Sequence, residues 1–319
     1  MRLCTFSTDR LLRHVGLALT DQRVLDVSAA FAGDHRFATL LDVIQHEGQT
    51  LPALRALRAL LASGNASPRH VHALANVRIE LPYQPPQIRC FSVYEQHLKN
   101  AFRQVQAHVA PAAGAQAEEF RIPPAFYETP VYYKGVRLNL SGPGAPVRRP
   151  EPGAKLDYEA ELAVVIGRGG KNIALPGAMA HVFGYVVFND FSERAQLMKE
   201  LRSGLGTGPA KGKDFDGSNS LGPWIVTADD IADPHALDVT VRVNGQTRGQ
   251  GRTAGMTHRI DRIVSFASQN ETLHAGELLA TGCVPECAGI EQWRFLDDGD
   301  RVEVEIAGLG VLTNTIVAS

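Results

Sequence analysis

The sequence predicts a β-rich α+β fold, and three observations predict it. From about residue 130 the chain is mostly apolar or alternating runs bounded by turn residues, at 158–166, 182–188, 224–227, 238–243, 301–306 and 311–317. Asn244-Gly245 between two such runs is a two-residue hairpin signal. The regular strand–helix alternation of a doubly wound sheet is missing, because only two helical patterns interrupt, near 191–203 and 257–268.

Residues 1–82 read as a small α+β unit of their own. Cys4-Thr-Phe, His14 to Leu19 and Arg23 to Val27 are strand-like, with Thr20-Asp21-Gln22 as the turn between the last two. Helices are expected near 37–46 and 51–63, the second built on Leu51, Leu54, Leu57, Leu60 and Leu61. Pro82-Tyr-Gln-Pro-Pro86 punctuates the chain, and a second domain is expected over 86–319. Its first helix carries Leu98, Phe102, Val105 and Val109 at helical spacing. An exposed excursion or lid is expected near 100–129, where residues 111–124 are rich in Ala, Gly, Gln and Glu.

Composition sets bounds on function. A formal net charge of -2 over 319 residues argues against nucleic acid or an anionic membrane as the main partner. The start of the chain shows no signal-peptide pattern, and no apolar run approaches the roughly 20 residues that span a bilayer. Four scattered cysteines, Cys4, Cys90, Cys283 and Cys287, do not read as a disulfide framework, and a cytoplasmic location is expected. Residues 206–213 do not fit a phosphate loop, because the spacing fails and Asp214 stands where a hydroxyl is required.

The segment Asp157-Tyr-Glu159-Ala-Glu161 carries the most chemistry. Residues two apart on a strand share a face, so three carboxylates point one way and run directly into Val-Val-Ile. Like charges packed on a buried strand need a neutralising cation, and all-oxygen donors favour Mg²⁺, Mn²⁺ or Ca²⁺. The competing reading is an edge strand with a solvated acidic face. Asp190, ending Gly184-Tyr-Val-Val-Phe-Asn-Asp, also has two readings. It is a metal ligand, or a helix N-cap completed by Glu193 in a capping box.

The order of these pieces resembles the fumarylacetoacetate hydrolase family. The resemblance runs through Tyr94-Glu-Gln-His97, Pro130-Val-Tyr-Tyr133-Lys-Gly, Leu156 to Gly167, His181 to Arg194, Gly212-Lys213-Asp-Phe, Leu221-Gly-Pro-Trp, Val243-Asn-Gly, Gly276 to Gly282 and Asp298 to Ile306. It implies a mixed β-roll catalytic domain behind a small N-terminal domain, and a homodimer. It also implies a metal-dependent hydrolase that cleaves a C–C bond in a 1,3-dicarbonyl or acylpyruvate-type acid, as in aromatic catabolism. The metal ligands it implies are Glu159, Glu161 and Asp190, with Mg²⁺ (or Mn²⁺ or Ca²⁺) as cofactor. The base is His97, oriented by Glu291 or by Glu118, Glu119 or Glu128. Lys213 is the active-site lysine, and Tyr133, Arg194, Thr281 and Gly282 contact the substrate.

Two positions depart from the family pattern. Cys90 stands where fumarylacetoacetases carry a further aspartate, and Cys283 replaces a hydroxyl after Thr281-Gly282. The same metal–enolate chemistry supports a 2-oxo acid decarboxylase, hydratase or isomerase. A catalytically silent metal-binding scaffold is the alternative of another class.

Overall fold

The computed structural model describes all residues except 20–21, 64–68, 110–120 and 206–207. The expected turn at 20–22 and most of the excursion therefore lie outside the described residues.

A large mixed sheet organises the chain. Its strands run in the order Val71–Ala73, Arg23–Asp26, His14–Ala18, Arg2–Ser7, Asn219–Thr227, Val182–Asp190, Glu159–Ile166, Leu278–Ala288, Ile88–Phe91 and Tyr132–Gly135. Neighbours are antiparallel except Leu278–Ala288 beside Ile88–Phe91. A second sheet takes Gln246–Arg252, Asp238–Val243, Arg301–Ile306, Gly310–Val317 and Pro146–Arg148. This is the β-rich mixture of helix and strand that the sequence predicts. The Asn244-Gly245 turn also forms as expected, with φ of 54° and 76° at its two residues and Val243 paired to Gln246.

The strand Glu159–Ile166 is buried along its whole length and lies centrally, between Val182–Asp190 and Leu278–Ala288. The edge-strand reading of the acidic face is thereby removed. Its period of two divides two cores. Ala160, Leu162, Val164 and Ile166 pack toward the second sheet (Val239, Val241, Val302, Val304) and the helix Ile260–Ala267. Ala163 and Val165 face the opposite core, with Val186, Phe188, Leu278 and the helical residues Leu40, Val43, Ile44 and Leu54. Glu159 and Glu161 continue that second face beyond the point where apolar packing stops.

The N-terminal residues do not make a separate sheet. Arg2–Ser7 pairs with Asn219–Thr227, so the first strands extend the sheet that carries the acids. The helix expected at 37–46 is a short 3₁₀ turn, His35–Phe37, followed by Leu40–Gln45 under a Thr39/Asp42 capping box. The next helix, Glu47–Ala62, starts earlier than expected, with Pro52 inside it. No described helix is long and apolar enough to cross a membrane.

Candidate active site

Two neighbouring strands bring three acids to one point. Glu161 pairs in register with Phe188, and Asp190 is the last residue of Val182–Asp190. Carboxylate oxygens of Glu159, Glu161 and Asp190 lie within 4.8 Å of one another, and all three residues are buried. The N-cap reading of Asp190 is corrected here: the cap of the helix Arg194–Leu201 is Glu193, whose carboxylate accepts from the N–H groups of Ala195 and Gln196. Asp190 is thus free of helix duty.

The acids share their cationic partners. Arg194 bridges Asp157 and Glu159, with its Nη2 at 2.6 and 2.7 Å from their oxygens. Asp157 also accepts from the N–H groups of Gly289 and Ile290, tying this strand to the turn that bears Glu291. Lys213 Nζ lies 2.8 Å from both Glu159 Oε2 and Asp190 Oδ2. Its loop is pinned by Glu200, which accepts from the N–H groups of Ala210 and Gly212. The Tyr133 hydroxyl donates to Asp190 Oδ2 at 2.6 Å.

Among the described residues, Glu161 receives a single backbone N–H, from Gly282 at 2.9 Å. Gly282 has φ +95°, and a Cβ there would stand 2.6 Å from the Phe91 carbonyl oxygen, so this position requires glycine. Thr281 is placed differently from its neighbour. It is fully buried, its hydroxyl donates to the Leu162 carbonyl, and it stays out of the cavity wall.

The electrostatics divide the three acids. Burial raises the Glu159 pKa, but Lys213, Arg194 and His97 outweigh it and hold the carboxyl well below its ordinary value. Burial, reinforced by Asp190 and Glu159, pushes Glu161 well above its ordinary value. Burial also raises Asp190, with Lys213 opposing. Asp157, Glu159, Glu161 and Asp190 are buried against two cations, Arg194 and Lys213, so the cluster holds two more acids than bases.

Asp190 Oδ1 is moreover buried with no hydrogen-bond partner among the described residues. An unpaired buried carboxylate oxygen and two acids more than bases fit a divalent cation, and the all-oxygen donors suit a hard one. The pattern Glu-x-Glu plus a distant Asp therefore fits a metal on structural grounds as well.

His97 stands in the first turn of the helix Glu95–Val109. Its Nδ1 is 2.8 Å from Glu291 Oε1, and its Nε2 is 4.0 Å from Glu159 Oε1. Glu291 Oε2 accepts from Asn100 Nδ2 at 2.8 Å and from the Glu286 N–H at 3.0 Å. Among the described residues, Glu291 is the expected acid in contact with this histidine. Glu118 and Glu119 lie outside the described residues, and Glu128 is exposed at the end of a short helix.

These groups share a cavity of about 420 Å³. His97, Tyr133, Glu159, Glu161, Asp190, Arg194, Lys213 and Gly282 line one end. Leu98, Ala101, Phe102, Val105, Leu197 and Met198 add an apolar wall, with exposed Arg202 also on it. Leu98, Phe102 and Val105 of the 95–109 helix thus face the cavity, where periodicity alone suggests a core face. Sequence reasoning did not assign Asn100, Asp157 or Glu286. Asp157 was visible in the alternation, but its duty toward Arg194 and the 289–290 turn needs contacts made far along the chain.

A model of the fumarylacetoacetate (FAA) hydrolase C-terminal domain matches residues 87–317. The chain belongs to the fumarylacetoacetate hydrolase family. Within this family it is 39% identical over 192 residues to oxaloacetate tautomerase fahd2, mitochondrial, of Xenopus laevis, covering 59% of this chain and 58% of the relative. The match thus spans less than two thirds of that relative's length. Oxaloacetate tautomerase YisK of Bacillus subtilis (strain 168) is 28% identical, with 98% of this chain and 99% of the relative covered. Among solved structures, maleylpyruvate hydrolase from Sphingobium sp. SYK-6 in complex with manganese(II) and pyruvate superposes with a TM-score of 0.73 at 26% identity, covering 100% of both chains. Proteins similar to this chain are thus named both as tautomerases and as a hydrolase.

Proposed function

We propose that this protein is a divalent-metal-dependent hydrolase that cleaves the C–C bond of an acylpyruvate-type acid with an apolar acyl group. The observation that carries this reading is His97 clamped through Nδ1 by Glu291, with its Nε2 turned toward the carboxylate cluster. Glu159, Glu161 and Asp190 would hold one cation, Mg²⁺ or Mn²⁺, which when bound polarises a carbonyl oxygen and stabilises negative charge developing on it.

The remaining chemistry belongs to the chain. Glu291 fixes the tautomer in which Nδ1 carries the proton, leaving Nε2 as a base, and it stabilises the imidazolium that forms. His97 Nε2 takes a proton from water, and the water oxygen bonds to the distal carbonyl carbon. Lys213, at the polar end of the cavity, supplies positive charge where the oxyanion develops. The bond from that carbon to the methylene then breaks, its electron pair passing to the methylene carbon, which takes the proton back from His97. One water is consumed; a carboxylic acid and a 2-oxo acid leave. Arg194, Tyr133 and the Gly282 N–H orient the three acids. The apolar wall of Leu98, Phe102, Val105 and Leu197 suits the acyl chain.

A second reading is keto–enol tautomerisation of a 2-oxo diacid, favoured by the near full-length match to the B. subtilis tautomerase. There His97 would shuttle a proton between carbon and enol oxygen, with no water consumed. One assay separates the two. Acylpyruvates of graded chain length and enol-oxaloacetate are supplied with Mg²⁺ or Mn²⁺, following enol absorbance and release of the shorter 2-oxo acid together. Absorbance loss matched by 2-oxo acid release supports hydrolysis. Catalysed absorbance loss on oxaloacetate, with no acylpyruvate cleaved, replaces it by tautomerisation.

A further inference from the structure

We propose that the same cavity contains a second metal site, formed by His97, Cys283 and Glu291, which takes a thiophilic dication such as Zn²⁺ or Cd²⁺. A ring nitrogen of His97, the sulfur of Cys283 and a carboxylate oxygen of Glu291 lie within 4.8 Å of one another, and all three residues are buried. Cys283 is a free thiol, and it lines the cavity together with His97. One nitrogen, one sulfur and one oxygen donor form a borderline-soft set that suits zinc, with water from the cavity completing four-coordination. The neighbouring set is all oxygen and suits hard cations. One cavity thus presents two donor classes side by side, with His97 Nε2 4.0 Å from Glu159.

The charges balance. The Cys283 thiol releases its proton to solvent as the metal–sulfur bond forms, and thiolate plus the Glu291 carboxylate neutralise the dication. Nothing is oxidised or reduced. With Oε1 as the Glu291 donor, Oε2 keeps the Glu286 N–H and the Asn100 amide. A metal seated here breaks the His97–Glu291 hydrogen bond or occupies the histidine nitrogen. On the functional reading above, on which this consequence rests, it inhibits turnover.

The test titrates Cd²⁺ into the full chain under saturating Mg²⁺ and follows the sulfur-to-cadmium charge-transfer band in the ultraviolet. We expect a band of one equivalent in the wild type and in Cys90→Ser, and its loss in Cys283→Ser. Cys283→Ser should weaken Cd²⁺ binding by about tenfold or more, a loss that even outer-shell substitutions produce at metal sites. The Co²⁺ spectrum of the wild type reports sulfur ligation without any variant, so a poorly folding Cys283→Ser does not spare the proposal. A wild type with no band, or a band that survives in Cys283→Ser, overturns the site. Failure of the functional reading looks different: the band forms, but no acylpyruvate is turned over with or without Cd²⁺.

Discussion

Oε1 of Glu291 lies 2.8 Å from Nδ1 of His97, although 194 residues separate them along the chain. The helix Glu95–Val109 and the 3₁₀ turn Gly289–Gln292 make this meeting possible. Asp157 reinforces it by accepting from the first two N–H groups of that turn. If His97 is the base, His97→Asn should lower kcat by about 100- to 10,000-fold, the usual worth of a positioned acid–base group. KM for an acylpyruvate should change little. Steady-state kinetics with Mg²⁺ present check this, and an undiminished kcat removes His97 from the mechanism.

Arg194 is buried between two acids, and burying charge is tolerable only while partners remain. Arg194→Met leaves Asp157 and Glu159 without their shared cation. Stability should fall by about 3–5 kcal/mol, the range for breaking a buried pair from one side. Guanidinium unfolding measures it; a midpoint matching the wild type would mean that water reaches these acids.

Asp190 and Glu193 divide two tasks, metal ligand and helix cap, that the sequence leaves open for Asp190. Asp190→Ser should leave the helix Arg194–Leu201 capped and far-UV circular dichroism unchanged, while Mn²⁺ affinity collapses. Glu193→Ala should do the reverse, costing about 1 kcal/mol of stability and sparing the metal. Parallel thermal melts with and without Mn²⁺ distinguish them. Equal Mn²⁺ stabilisation in wild type and Asp190→Ser would return Asp190 to a purely structural role.

Phe102 and Leu197 offer the apolar end of the cavity to the acyl chain. Phe102→Ala should lower kcat/KM for long-chain acylpyruvates by about tenfold or more, since each lost apolar contact is worth about 1–3 kcal/mol in a pocket. Acetylpyruvate, too short to reach that wall, should be affected least. A uniform loss across chain lengths would place the acyl group elsewhere.

How much of this was legible in the sequence depends on the range of each interaction. Glu159 and Glu161 share a face because a strand has a period of two, and this is local information. The Asn244-Gly245 hairpin is local too. The 95–109 stripe was visible as periodicity, but a core face and a cavity wall have the same pattern, and only the tertiary structure tells them apart. Thr39 and Asp42 form a capping box that splits the first expected helix, a short-range signal that apolar spacing does not register. The strand Arg2–Ser7 joins the catalytic sheet through Asn219–Thr227, over two hundred residues later, and nothing in its own residues indicates that partner. Asn100 reads as an ordinary helix amide until Glu291 is beside it. The family resemblance supplied what spacing could not: that Glu159, Glu161 and Asp190 belong to one site.

The central claim is one hard cation held by three acids, and Glu161 is its most exacting test. It is the member with no ion pair among the described residues, held by the Gly282 N–H alone. Mn²⁺ binding followed by electron paramagnetic resonance, on wild type and Glu161→Gln, reads the site directly. One tightly bound Mn²⁺ per wild-type chain is expected, with an affinity lower by about 100-fold or more in Glu161→Gln, beyond the loss seen for outer-shell changes. Equal binding by both proteins would contradict it.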